Sequence, residues 1–386
     1  MKTSALNDLR YPMTLRQRIL AVYRGETPDV VPYMLDLSHW FYHRNRLPWD
    51  LSQVYIEPER ELIDYHRRAG VGFYLPNLAA FYSAAFPPDV KATTVRRTNN
   101  DGVPEIVWRI ETPLGSIERT RTWEERSYAW GISRWGIQSE EDLRVFGYAL
   151  SRRRFAPHWE RFTAWDNYVG DCGVVYMPLG YSAMGHLLNY WMGVEAATYA
   201  TADWTGLMHE TVDSVNRNTL DLVDLLCQSP AEIVIMGDNI SSDIQPPSFF
   251  NKWSRDFYVE AIARLHRAGK LVAVHIDGRL RGALSMIRDT GADCADAVTP
   301  VPTGDLTAAE CRREAGERFI LSGGVSPNLW MPDAPLAEFE AKALEWLDQK
   351  KTTSRFIANA GDQVPPGADE RRIAIMRELV EKHGRF

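Results

Sequence analysis

The sequence predicts an α/β chain folded as a (β/α)8 TIM barrel with an inserted β-hairpin. Three observations predict it: eight short apolar runs recur along the chain, amphipathic stretches separate most of them, and one interval reads as paired strands instead of helix. The runs are VVPYMLDL from Val30, GVGFYLPN from Gly70, VVYMPLGY from Val174 and EIVIMGDN from Glu232, then LVAVHIDG from Leu271, CADAVTPV from Cys294, RFILSGGV from Arg318 and RFIANAGD from Arg355. Their length and β-branched content suit parallel strands covered on both faces. Most end in Gly, Asp, Asn or Pro, which break extended backbone and open a loop.

Taken in order, residues 1–28 form a helical segment ahead of the first strand. The interval between Asn77 and Val174 is too long for one helix. Within it, EIVWRIETPLGSIERTRTW reads as a hairpin turning at Thr112-Pro113-Leu114-Gly115. The stretch from Ser127 to Ile137, with Tyr128, Trp130 and Trp135, reads as loop. Residues 90–137 are therefore expected to be an insertion over one end of a single domain spanning 1–386. Between Pro247 and Gly269, Phe250, Trp253, Phe257, Ala261 and Leu265 recur at helical spacing and make one apolar stripe, with Gly269 at its C-terminus. Asp369 can cap a last helix whose inner face carries Ile373, Met376 and Val380.

Composition excludes several classes. With 45% apolar and 25% charged residues, a chain of 386 can bury a large core unaided. A net charge of −7 argues against a nucleic-acid binder, which needs a basic stripe to displace phosphate counterions. No run of 18 apolar residues offers a membrane span, and MKTSALNDLRYPM has no apolar core of a secretory leader. Cys172, Cys227, Cys294 and Cys311 stand too far apart in sequence for a CxxC pair. The expectation is a cytoplasmic protein with reduced thiols. There is no phosphate loop, no GxGxxG after a strand and no HExxH. Gly180-Tyr181-Ser182-Ala183-Met184-Gly185 misses a nucleophile elbow by one position and reads as a turn at a strand end.

The chemistry is expected at strand ends. In VAVHIDG, alternation points His275 and Asp277 to the same side, where they can bind a metal or move a proton. The alternative is a core histidine held by a neighbouring carboxylate. Asp362, after the last run, lines the site or caps its loop. Asp238 and Asn239, after the fourth run, offer a carboxylate and an amide, or form an Asx-turn. His275, Asp277 and Asp238 are the catalytic candidates. Asn239, His39 and Tyr181 are the substrate-binding candidates, with Asp36, Trp40, Tyr42 and His43 close by in sequence. Thirteen Trp and sixteen Tyr supply aromatic walls for a flat or methylated ligand.

TLRQRILAVYRGE from Thr14 and PDVVP from Pro28 resemble the opening of uroporphyrinogen decarboxylase-like proteins, and more specifically of their corrinoid-dependent methyltransferase branch. TPLGS from Thr112, IQSEEDL from Ile137, HIDG from His275, Thr299-Pro300 with Gly304-Asp305, and the loop from Asp362 to Pro366 extend the resemblance to the C-terminus. It implies one (β/α)8 barrel. It also implies zinc held by a His-x-Cys pair and a later Cys, and methyl transfer through a cobalamin carried by a partner corrinoid protein. Here His275 matches the family's His, while Asp277 and Asp362 stand where the two Cys would be. A His and two carboxylates make a harder ligand set than thiolates, suited to zinc or another divalent metal. The expected function is methyl transfer or demethylation of a small methylated substrate. The alternatives are a decarboxylase or lyase of the same fold, and a non-catalytic binding barrel. True uroporphyrinogen decarboxylases meet a substrate of eight carboxylates with arginines, and the first run here has none before Arg44.

Overall fold

The computed structural model describes residues 12–47, 56–74 and 81–386. Residues 1–11 of the expected N-terminal helical segment, and Leu75-Pro76-Asn77 of the second run, lie outside them. A helix does form over Leu15–Arg24, started by a capping box between Thr14 and Gln17. Among the described residues no helix is long and apolar enough to cross a membrane.

Among the described residues twelve strands form. β1 (Tyr82–Ala85) pairs antiparallel with β6 (Arg154–Pro157). β2 (Lys91–Thr98), β3 (Pro104–Thr112), β4 (Gly115–Glu124) and β5 (Ala129–Arg134) make a four-stranded antiparallel sheet. β7 (Met177–Gly180), β8 (Ile233–Ile240), β9 (Leu271–Ile276), β10 (Cys294–Val298), β11 (Ile320–Val325) and β12 (Phe356–Ala360) lie side by side in chain order in a six-stranded sheet. Every neighbouring pair of that sheet is parallel.

These six strands fall on the last six apolar runs. The first two runs pair more sparsely, through isolated parallel bridges from Tyr33 to Ala358, Met34 to Gly72 and Phe73 to Gly173. Pro32 has no N–H to give a ladder, and its carbonyl accepts from Ala358 N at 2.9 Å. Backbone approach at these bridges is close. A Cβ on Gly173 would sit 1.8 Å from the Phe73 carbonyl oxygen, and one on Gly72 would sit 2.8 Å from Met34 Cβ.

Alternation sorts the side chains of β9. Ala273 joins Ile233, Ile235, Cys294, Ile320, Ile357 and Tyr176 in one buried cluster. Val272, Val274 and Ile276 join Ala261, Ile262 and Leu284 of the covering helices in another. Full burial of a valine or isoleucine is worth about 1.5–3 kcal/mol. A one-residue slip would exchange the two faces along the whole strand, so the register is strongly fixed.

Two expectations change. The stretch from Ser127 to Ile137 contains β5, which pairs with β4, because its aromatic and branched residues favour an extended edge. The helix expected between Pro247 and Gly269 is two helices, Pro247–Trp253 and Arg255–Arg267, broken at Ser254. Ser254 Oγ donates to Gln245 Oε1 at 2.8 Å, drawing the backbone out of the helical path. The stripe survives the break, since Phe250, Trp253, Phe257, Ala261 and Leu265 are all buried. β3 and β4 meet with Thr112 opposite Gly115. Their Ile110 and Ile117 pack on the helices Glu140–Leu150 and Thr205–Leu226 through Leu143, Phe146, Met208 and Val212.

Candidate active site

Polar residues gather where the parallel strands end. A cavity of about 430 Å³ is lined by Asp36, Tyr74, Tyr181, Asn239, His275 and Asp277, with Asp296, Asp362 and Gln363 completing its polar wall. Strand alternation delivers some of them, and the loops that follow the strands deliver the rest. On β8, Ile235, Gly237 and Asn239 face the cavity, and on β9 His275 and then Asp277 do. Asp296 of β10 lies in register beside His275.

His275 and Asp296 form the centre of this arrangement. His275 Nδ1 faces Asp296 Oδ2 at 3.6 Å. Asp296 is 1% exposed, and neither carboxylate oxygen has a hydrogen-bond partner in the present arrangement. Leaving such a group unsatisfied costs about 1–3 kcal/mol or more, so the pair is held by its surroundings. The backbone next to it is strained. Ala297 takes a left-handed φ of 69°, and the pairing of β10 with β11 shifts between Ala295 and Val298. A bulge beside a site re-aims side chains, and strain of this kind persists only where packing enforces it.

Electrostatics set the protonation states. Burial works against a charge on His275, but the close approach of Asp296 and the carboxylates of Asp362 and Asp277 outweigh it and raise the imidazole pKa to about 9. His275 is therefore an imidazolium at neutral pH. Burial raises Asp362 to about 6, with Asp277 and Asp36 pushing the same way and His275 opposing. Asp362 thus exchanges its proton close to neutrality. The described cavity wall carries four carboxylates, one imidazole and no Arg or Lys.

The structure brings His275, Asp277, Asp362, Asn239 and Tyr181 to one cavity and leaves two expected residues outside it. Asp238 points to the opposite face of β8. It accepts from Ser182 N at 2.7 Å and from Ser182 Oγ, and burial raises its carboxyl to about 6. As a fully surrounded group it fixes the turn after β7 and has no access to a ligand in the cavity. His39, on the helix Ser38–Arg44, does not line the cavity, and burial lowers its imidazole pKa. Asn239 adopts a left-handed φ of 50°, which asparagine tolerates well.

The metal set does not form as expected. Among the described residues no three His, Cys, Asp or Glu side chains are placed to hold one ion. His275 Nδ1 already faces Asp296, while Asp277 Oδ1 accepts from Gly278 N at 2.6 Å and so serves its own loop. As placed, these side chains fit proton transfer and not three-fold ligation of one ion.

Asp296 and Tyr74 escaped the sequence reading. Asp296 was readable in principle, because CADAV places a carboxylate in the middle of an apolar strand, one neighbour away from His275. Tyr74 carried no local signal beyond a tyrosine inside an apolar run.

The model of the uroporphyrinogen decarboxylase (URO-D) family matches residues 186–383, just over half of the chain. The chain belongs to the URO-D family. The matched part holds β8 to β12 and the residues His275, Asp277, Asp296 and Asp362, while Asp36, Tyr74, Tyr181 and the four-stranded sheet lie before it. Among solved structures, a methyltransferase from Methanosarcina mazei is similar over 96% of this chain and 99% of that one, with a TM-score of 0.61 and 16% identity. That is a likeness of fold. An L-Ala-D/L-Glu epimerase (9% identity, 79% of this chain and 83% of that one) and a muconate lactonizing enzyme from Pseudomonas putida (11%, 78% and 79%) reach TM-scores of only 0.25 and 0.27. No curated protein matches the sequence.

Proposed function

We propose that this URO-D family member removes the methyl group from a small methoxylated substrate held against His275 and Asp362, with a partner corrinoid protein as acceptor. The observation that carries the reading is the presence of two proton donors in one cavity: an imidazolium at His275 and a carboxyl at Asp362 titrating near 6. The overall likeness to a methyltransferase supports the reaction class. The reading takes the six parallel strands and the bridged runs at Tyr33–Met34 and Gly72–Phe73 as one closed eight-stranded barrel. It takes the whole chain as one domain, with residues 90–137 inserted.

Breaking a methyl–oxygen bond leaves an alkoxide or phenolate. Against the carboxylates of Asp36, Asp277 and Asp296 that charge is repelled, so a proton must arrive as the bond breaks. Asp362 supplies it. His275 donates a hydrogen bond to the same oxygen, and Asp296 fixes the ring and keeps it charged. A methylated ammonium departs as a neutral amine and needs no such proton, which makes the methoxyl donor the better fit. Tyr74 and Tyr181 wall the cavity as flat apolar surfaces with polar tips. Reduced cobalamin, when its carrier docks, would supply the nucleophile for the methyl group. A cavity of about 430 Å³ suits a small substrate, and the reading leaves the corrinoid on its carrier. The same acidic wall disfavours a polycarboxylate tetrapyrrole, which the decarboxylase alternative requires.

The test is methyl transfer to reduced cobalamin from a panel of methoxylated, methylthio and methylamine donors. Methylcobalamin formed fastest from a methoxylated donor, and lost in Asp362→Asn, is the expected result. Turnover of a methylamine alone, or full activity in Asp362→Asn, contradicts the reading.

A further inference from the structure

A second charged region adjoins the cavity, and its sign is opposite. Arg119 of β4 is only 5% exposed. Its guanidinium lies 4.4 Å from the Trp108 ring centroid, 4.7 Å from Tyr190 and 4.9 Å from Trp191. Nη1 donates to the Tyr190 carbonyl oxygen at 3.3 Å, and buried Nε has no partner. Arg121, two residues on along the strand, has its guanidinium 4.7 Å from the same Tyr190 ring, and its buried Nε is likewise unpartnered. Burial and the neighbouring Arg121 charge lower Arg119 to about 10.

Neither arginine meets a carboxylate among the described residues. Other arginines of this sheet do: Arg97 pairs with Glu105 at 2.8 Å, Arg109 with Glu111 at 3.0 Å and Arg134 with Glu118 at 3.2 Å. Two like charges side by side, Arg119 buried and Arg121 half-buried, without a counterion are costly to fold, and the cost is relieved by an anion. Aromatic faces stabilise a guanidinium but leave its N–H edges unused. The link to the cavity is Tyr181, a cavity-wall residue that packs edge-to-face on Tyr190 with 4.7 Å between ring centroids.

We infer that Arg119 and Arg121 form an oxyanion-binding subsite beyond Tyr181, which takes the carboxylate or phosphate group of a ligand. The inference stands on the uncompensated guanidinium pair and is independent of the methyl-transfer chemistry. Guanidinium edges bind either oxyanion in the same way.

Acetate and inorganic phosphate, titrated separately at constant ionic strength, distinguish the two sources. Trp108 and Trp191 lie against Arg119, so tryptophan fluorescence reports binding and calorimetry confirms it. The expected result is saturable binding of at least one anion, weakened tenfold or more in Arg121→Gln and unchanged in Arg134→Gln. Tighter acetate assigns a carboxylate, and tighter phosphate assigns a phosphate. Arg121→Gln is used because Arg119→Gln, at the centre of three rings, risks misfolding. Absence of saturable binding by both anions, or equal loss in Arg134→Gln, overturns the proposal.

Discussion

Asp238 and Asp362 are buried carboxyls pushed to about the same value, near 6, by the same cause. Their surroundings differ. Asp238 sits behind β8 and is satisfied by Ser182. Asp362 sits in the cavity with His275, Asp277 and Asp36 acting on it. A shifted carboxyl is therefore no mark of a site by itself. The side of the strand on which it lies decides whether its proton reaches a ligand, and alternation along β8 and β9 is what sets that side.

Substitutions sharpen this contrast, and the largest effect is expected at the cavity. Asp362→Asn removes the proton donor and is expected to lower kcat by about 10²–10⁴-fold, the usual worth of a positioned acid. The protein should stay folded, as circular dichroism and the thermal midpoint would report. In the native enzyme the rate should fall as pH rises through about 6, where Asp362 loses its proton, and that limb should vanish in the variant. A profile flat across this range would place the acid elsewhere.

Asp296→Asn should cost somewhat less, about 10–100-fold, by weakening the hold on His275 rather than removing a proton donor. Asp238→Ala should show the opposite pattern. It strands Ser182 N and Oγ in a buried turn, at a cost of about 2–4 kcal/mol in urea unfolding, while turnover per folded molecule is retained. A selective loss of kcat with unchanged stability would return Asp238 to the chemistry. The smallest effect concerns pH and stability. Because the Asp238 and Asp362 pKa values are raised above that of a free carboxyl, the native state binds more protons between about 4 and 6. Stability should therefore fall as pH rises through that window, and Asp238→Asn should flatten the fall without touching the rate profile.

Much of this was legible in the chain. The last six apolar runs are the six parallel strands, and the HIDG and GDQVPP strand ends do meet in one cavity. Period-two alternation and loop-forming residues were enough for that, because both are local. The misses were non-local. Asp238 and Asn239 are adjacent, and only the strand's exact phase shows that Asn239 faces the cavity while Asp238 turns away. The pairing of Asp296 with His275 depends on the register between two strands. The bulge at Ala297 leaves no mark in composition. The break at Ser254 depends on a hydrogen bond to Gln245, nine residues back. How closely the His275, Asp277 and Asp362 side chains converge was beyond the sequence for a related reason: residue types at strand ends do not specify it.

The central claim is that Asp296 and the surrounding carboxylates hold His275 as an imidazolium in the cavity. Its most direct test is the titration of the His275 ring by heteronuclear NMR in the native protein and in Asp296→Asn. The expected result is a pKa near 9 that drops clearly in the variant. A native pKa at or below that of free histidine, or a value indifferent to Asp296→Asn, would contradict the account.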